Sequence, residues 1–257
     1  MKALVLLTAI SLISAPTWGD EENEELDESS IVESSVVESP WSGNAKLGFI
    51  FSKTNETSMS TNSGASIIYD KDEWQQKGEF STYYTKGNED NDGTNKYNLS
   101  YGMKHLINDA WFVYTNSKYE HDLYATYRKQ LTIATGFGAT LIDEEDKTLN
   151  IGAGPGYRFS QRQDFDPDLP GKKEDEVIAN AFLEGSSKLN DRFELGGEVR
   201  VDYGEENTTT NIKGYLKNQL MAQVSLLLDT EYINNSNVAA DSSNSEIYST
   251  ISLSYDF

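Results

Sequence analysis

The sequence predicts an all-β chain: a transmembrane, antiparallel, up-and-down β-barrel of about twelve strands. Three observations predict it. Apolar and polar residues alternate with period two from Trp41 to Phe257, short and long connections alternate between the strands, and aromatic residues collect at both strand ends on the apolar face. Composition removes the main competitors. The 257 residues include no cysteine, which excludes disulfide frameworks, thiolate metal sites and cysteine nucleophiles. A net charge of -21 leaves nucleic acid without a basic counterpart. Yet 15 Tyr, 10 Phe and 4 Trp are too many aromatics for an acidic disordered chain.

Residues 1–19 read as a secretory signal: Lys2 precedes a short apolar run from Leu4 to Ile13, and Thr17-Trp18-Gly19 offers a cleavage site. The run is too short to cross a bilayer as a helix. Residues 20–40 form an acidic segment with nine carboxylates and no basic residue, expected to be a disordered periplasmic tether. Residues 41–257 are the barrel. From Pro40 onward 33 acidic residues face 20 basic ones, so the barrel is only moderately acidic.

The first strand puts Trp41, Ala45, Leu47 and Phe49 on one face and Ser42, Asn44 and Lys46 on the other. Ten further strands are predicted near 58–70, 74–86, 95–105, 110–120, 128–142, 148–160, 177–189, 193–203, 210–217 and 222–233. The last strand alternates most plainly, with Ile247, Ser249, Ile251, Leu253, Tyr255 and Phe257 against Glu246, Tyr248, Thr250, Ser252, Ser254 and Asp256. The fifth strand is ambiguous, because Phe112 and Tyr114 are as apolar as Trp111 and Val113. Short links are expected around 70–73, 106–109, 143–147, 190–192 and 218–221, with longer ones on the other side.

Trp and Tyr prefer the two membrane interfaces, and their positions on the apolar face give two girdles. One comprises Trp41, Tyr69, Trp74, Trp111, Phe193, Tyr255 and Phe257; the other Tyr84, Tyr97, Tyr157, Phe159, Tyr203 and Tyr232. Aliphatic residues such as Ile67, Leu99, Ile151, Leu183 and Val199 lie between them. A secreted β-sandwich would share the alternation but has no reason to stack aromatics at both strand ends.

The polar face collects the candidate lumen charges. They are Lys46, Lys77, Glu79, Lys96, Lys104, Arg128, Arg158, Glu184, Glu194, Glu198, Arg200, Asp202, Lys213, Asp229, Glu231 and Glu246. The signs nearly balance. Balance favours cross-strand ion pairs over the single-sign ring of a strongly selective pore.

Other motifs carry weaker chemistry. Gly152-Ala153-Gly154-Pro155-Gly156 has the glycines of a phosphate loop, but Tyr157-Arg158-Phe159 continues a strand where a helix N-terminus is required. The run Asp164 to Asp168 with Asp175 imitates a calcium loop but lacks the glycine of its sharp turn. His105 and His121 could serve a lipid hydrolase, yet neither has an evident serine partner on an adjacent strand. No catalytic residue, metal site or cofactor is expected.

Trp41 to Phe51, Trp111-Phe112-Val113-Tyr114, Tyr119-Glu120-His121-Asp122, Gly152 to Arg158 and the closing Ser254-Tyr255-Asp256-Phe257 together carry a resemblance. The region resembles a family of Gram-negative outer-membrane β-barrels of unknown function, often labelled salt-induced. Ser52 to Thr57 departs from that family's usual first turn. The resemblance implies outer-membrane localisation, a link to osmotic or salt stress, and a C-terminal assembly signal at Phe257 read by the barrel-assembly machinery. Export with both termini periplasmic, a monomer, and contact with membrane lipid and lipopolysaccharide complete the expectation. The expected function is a narrow, weakly selective channel for ions or small solutes; the alternative is a non-conducting structural or surface-interaction barrel of the envelope.

Overall fold

A computed structural model describes residues 39–53, 57–86, 94–123, 127–162, 173–238 and 244–257. The expected signal and most of the acidic segment, up to residue 38, lie outside the described residues, as does the aspartate run Asp164 to Asp168. Residues 39–257 form one compact unit.

Twelve strands close on themselves: β1 Trp41–Lys53, β2 Thr57–Lys71, β3 Trp74–Lys86, β4 Thr94–Leu106, β5 Trp111–Asp122, β6 Tyr127–Glu144, β7 Lys147–Arg162, β8 Lys173–Asn190, β9 Phe193–Gly204, β10 Thr209–Met221, β11 Val224–Asn235 and β12 Ser245–Asp256. Each pairs with its sequence neighbours, and β1 pairs antiparallel with β12 to complete the barrel. The predicted fold class and strand number are therefore observed. Closure gives every strand a hydrogen-bonded neighbour on both sides, as a hydrocarbon environment favours.

Several strand limits differ from expectation. The tenth strand does not stop at 217 but runs to Met221, because Asn218 and Gln219 still pair with Leu226 and Ser225. The turn is therefore Ala222–Gln223, not 218–221. The eighth strand starts at Lys173, ahead of the expected 177, since Glu174 and Glu176 pair with Ser160 and Arg158 of β7.

Local chemistry makes the tight turns. Asp72 has φ 55°, the left-handed conformation that a short polar side chain tolerates, between β2 and β3. Asn108 Oδ1 accepts the backbone N–H groups of Ala110 and Trp111, both at 3.0 Å, between β4 and β5. Asn190 does the same for Arg192 at 2.9 Å and Phe193 at 3.1 Å between β8 and β9. An Asx side chain thus replaces backbone partners where the ladder ends.

The barrel is apolar outside and polar inside. Among the described residues 33 large hydrophobic side chains are exposed, whereas seven hydrophobic residues are buried. Exposed Leu47, Phe80, Leu99, Phe137, Val177, Leu195, Ile212 and Leu253 belong to one outward belt. Such a face suits hydrocarbon, with the interior carrying the polar groups. The barrel closes at a short seam of five residue pairs, Asn44 to Gly48 against Asp256 to Ser252. Beyond it Gly43 and Phe257 exchange two backbone hydrogen bonds of 2.9 Å. A Cβ at Gly43 would sit 2.8 Å from the Phe257 ring, so a glycine is what lets that ring lie across the first strand.

Candidate functional site

The lumen is filled in two ways. On the β6–β7 wall the inward residues include Gly138 and Gly152, and aromatic rings from the neighbouring strands lean over them. Phe112 and Tyr114 of β5 and Phe182 of β8 form a buried cluster, with Leu106 packed against it. Tyr114 and Phe182 meet edge-on at 5.0 Å between centroids, an arrangement that ring quadrupoles favour. A Cβ at Gly138 would lie 2.2 Å from the Phe112 ring and one at Gly152 2.5 Å from Phe182. The glycines are therefore the floor on which the rings rest. This resolves the ambiguous fifth strand: Phe112 is fully buried inside while Trp111 is 55% exposed outside.

The rest of the lumen is ionic. Lys77–Glu79 (2.8 Å), Lys118–Glu120 (2.9 Å) and Arg200–Glu198 (2.6 Å) are ion pairs along single strands. Others span the lumen. Lys104 of β4 reaches Glu184 of β8 at 3.3 Å, and Lys118 of β5 reaches Glu231 of β11 at 3.9 Å, from opposite walls of the barrel. Glu231 is shared with Lys213 at 3.9 Å and accepts a hydrogen bond from Asn211 at 2.6 Å. Lys46 reaches Asp229 at 3.2 Å, Lys217 reaches Asp256 at 2.8 Å, and Lys96 reaches Glu120 at 3.7 Å. Glu194 accepts from Tyr215 at 2.6 Å instead of from a cation. Two cations join the aromatic and ionic parts, Lys104 over Phe112 at 4.5 Å and Arg200 over Phe182 at 5.0 Å.

Towards the longer loops the lumen is clamped on one side. Arg158, 1% exposed, pairs with Glu176 at 2.5 Å, donates to Thr209 Oγ1 at 2.9 Å and donates to the carbonyl of Asn207. Asn207 is itself buried and donates to Asn235 Oδ1 at 2.9 Å, which ties the β9–β10 connection to β11. Across from it Tyr248 donates to Glu246 at 2.8 Å and carries Lys96 over its ring at 4.5 Å.

Between these groups runs a cavity of about 330 Å³, near the low end for small-ligand pockets. Its lining begins at Asp70 and Gln75, beside the β2–β3 turn, and reaches Asp122, Tyr127, Asn235 and Glu246 at the loop end. Strands β3, β4 and β5 contribute much of the lining and β7 none. Of the expected lumen charges, Lys77, Glu79, Lys96, Lys104, Glu184, Glu198, Arg200, Asp202, Lys213 and Glu246 line it. Arg128 does not line the cavity. The pairing register shifts between Tyr127 and Lys129, so Tyr127 and Gln130 line the cavity at that strand end and Arg128 stands within the irregularity.

Sequence reasoning missed the aromatic cluster, together with Tyr127 and the Tyr114 to Asn180 hydrogen bond of 2.8 Å. The available signal was the pair of inward glycines Gly138 on β6 and Gly152 on β7, each leaving space for a ring from a neighbouring strand.

The girdle residues lie on the outward face. Trp41, Trp74, Trp111, Tyr255 and Phe257 are exposed at one rim and Tyr84, Tyr97, Phe159 and Tyr203 at the other. Tyr69, Phe193, Tyr157 and Tyr232 are half-buried, two of them against neighbours: Trp41 with Tyr69 at 4.8 Å and Tyr157 with Phe159 at 4.7 Å. The histidines join these belts: His105 stacks on Trp74 at 4.3 Å and His121 on Tyr97 at 4.7 Å. Gly152 to Gly156 lies mid-strand in β7, and Asp175 accepts a hydrogen bond from Tyr157.

Comparison with solved structures finds similar folds. An outer-membrane channel from Pseudomonas putida F1 is 11% identical with a TM-score of 0.50, over 91% of this chain and 100% of that one. The NanC porin is 11% identical with a TM-score of 0.47, covering 83% of this chain and 97% of its own. The KdgM porin is 10% identical with a TM-score of 0.43, covering 84% and 99%. At such identities the likeness to the Pseudomonas putida F1 channel is one of fold. No curated protein sequence matches the chain. Residues 45–257 match the family described as "Protein of unknown function, DUF481", and the chain belongs to that family.

Proposed function

We propose that the chain is an outer-membrane barrel whose lumen is a narrow channel for ions or small solutes. The observation that carries this reading is the cavity of about 330 Å³ lined from the turn end to the loop end of the barrel. Charged and amide side chains line most of it, as a water-filled path requires, and the outward belt fits a bilayer. The fold shared with an outer-membrane channel supports the reading. The proposal includes both termini on the periplasmic side, a monomer in contact with lipid and lipopolysaccharide, and no catalysis. Phe257, 61% exposed at the end of the closing strand, is proposed as the signal to the barrel-assembly machinery.

The osmotic or salt-stress link belongs to the same proposal. Lys118 and Lys213 approach Glu231 only to 3.9 Å and are partly exposed, so added salt screens them. Conductance of the refolded chain in planar bilayers, measured across a salt series, tests both parts. Discrete steps whose size rises faster than bulk conductivity support them. Steps that merely follow bulk conductivity sink the salt link.

A second reading has its own support. Lys104–Glu184, Lys118–Glu231 and Tyr114–Asn180 cross the lumen, and a barrel so braced could serve as a closed structural element. Silence of the folded protein at raised voltage selects this reading.

A further inference from the structure

Six cations and eight carboxylates line the cavity. Counting signs alone makes the lining nearly neutral, but a mobile ion responds to the charge that remains after neighbours neutralise each other. Every lining cation is engaged: Lys77 with Glu79, Lys96 and Lys118 with Glu120, Lys104 with Glu184, Arg200 with Glu198 and Lys213 with Glu231. Three of the other lining carboxylates are held by neutral groups, and one of them, Asp70, is exposed at the turn end and accepts from the Gln75 amide at 3.2 Å. Asp202 accepts from the neutral amide of Asn180 at 2.6 Å, and Glu246 accepts from the hydroxyl of Tyr248 at 2.8 Å. Among the described residues neither is within ion-pair distance of a cation.

They also stand where a passing ion meets them. Asp202 is on β9 beside Thr209 and Asn211 in the lining, and Glu246 is on β12 at the loop end. Asp202 faces the lysine-bearing β4 and β5 from another wall, whereas Glu246 stands near Lys96, which lies over the Tyr248 ring and has its own ion pair with Glu120 at 3.7 Å. Inside the barrel, carboxylates without a direct ion pair therefore place negative charge at two separate points, with Arg200 near Asp202 and Lys96 near Glu246 offsetting part of it. A narrow passage with low-dielectric walls focuses such a charge and raises the local concentration of the opposite ion.

We infer that the path prefers cations over anions, and that Asp202 and Glu246 are the residues that set the preference. The inference rests on the channel reading and adds its selectivity. The test uses the full chain refolded in planar bilayers under a KCl gradient, beside the double variant Asp202→Asn with Glu246→Gln. Both replacements keep an oxygen for the existing donors and disturb none of the ion pairs. Unboiled gel migration matching that of wild type establishes that the variant is folded.

The expected potassium-to-chloride permeability ratio for wild type is about threefold or more, below the ~10-fold at which strong focusing begins because the excess charge is small. In the double variant the reversal potential moves towards zero. A wild-type channel with no cation preference overturns the inference and leaves the channel reading standing. A preference unchanged in the variant overturns the assignment to Asp202 and Glu246. A folded wild-type barrel that passes no current overturns the channel reading, and the inference with it.

Discussion

The β6–β7 wall and the β3–β5 wall fill the same lumen by opposite means. On the first, inward glycines at 138 and 152 make room for Phe112, Tyr114 and Phe182, and Arg158 clamps the loop end. On the second, Lys77, Lys96, Lys104 and Lys118 extend into the cavity and meet carboxylates. The difference teaches that packed rings and ion pairs fill neighbouring arcs of one lumen, with Tyr114 and Phe182 lining the same cavity as the lysines. Packed rings exclude water through contact, whereas ion pairs tolerate water and yield to salt.

The largest effect is expected at the clamp. Arg158→Met leaves Glu176 without its buried partner and the Asn207 carbonyl without its donor, which should cost about 3–5 kcal/mol. Urea unfolding followed by gel migration measures it; a loss within ~1 kcal/mol would show that the clamp is not structural. Phe112→Ala comes next. Removing a fully buried ring should cost about 3 kcal/mol and widen the ring-packed side, so conductance should rise as stability falls.

A smaller effect is expected from Gly138→Ala, which pushes a methyl group into the Phe112 ring for about 1–3 kcal/mol. The double variant Gly138→Ala with Phe112→Leu should recover part of that loss, whereas additive losses would mean that the two positions do not touch. The smallest stability change is expected on the ionic wall. Lys118→Met removes a partly exposed cation that bridges Glu120 and Glu231, costs at most about 1 kcal/mol, and weakens the salt dependence of conductance. An unaltered salt response would separate that response from the spanning pairs.

Strand number and facing were legible because they depend on period two within one strand, which Ile247 to Phe257 displays without reference to any neighbour. Most lumen charges were legible for the same reason. Their partners were not. Lys118 meets Glu231 across the barrel only once tilt and closure are established, and no sequence spacing encodes that contact. The cavity lining beside Arg128 was not legible, because one register irregularity between Tyr127 and Lys129 brings Tyr127 and Gln130 to it. Phe112 beside Trp111 is ambiguous from alternation, and only the pairing of Phe112 with Gly138 reveals which ring has room inside. The end of the tenth strand was misplaced because Asn218 and Gln219 read as turn residues, while their ladder partners on β11 keep them in the sheet.

The central claim, that a path runs along the lysine-bearing wall, is open to a direct measurement because the chain has no native cysteine. Ser100 lines the cavity on β4 and donates to Glu79, so Ser100→Cys places one thiol in the proposed path. Current through the refolded variant is recorded before and after a charged, membrane-impermeant thiol reagent. The account predicts stepwise block of an existing conductance, with wild type unaffected. A folded variant that carries no current, or whose current is indifferent to modification at position 100, would contradict it.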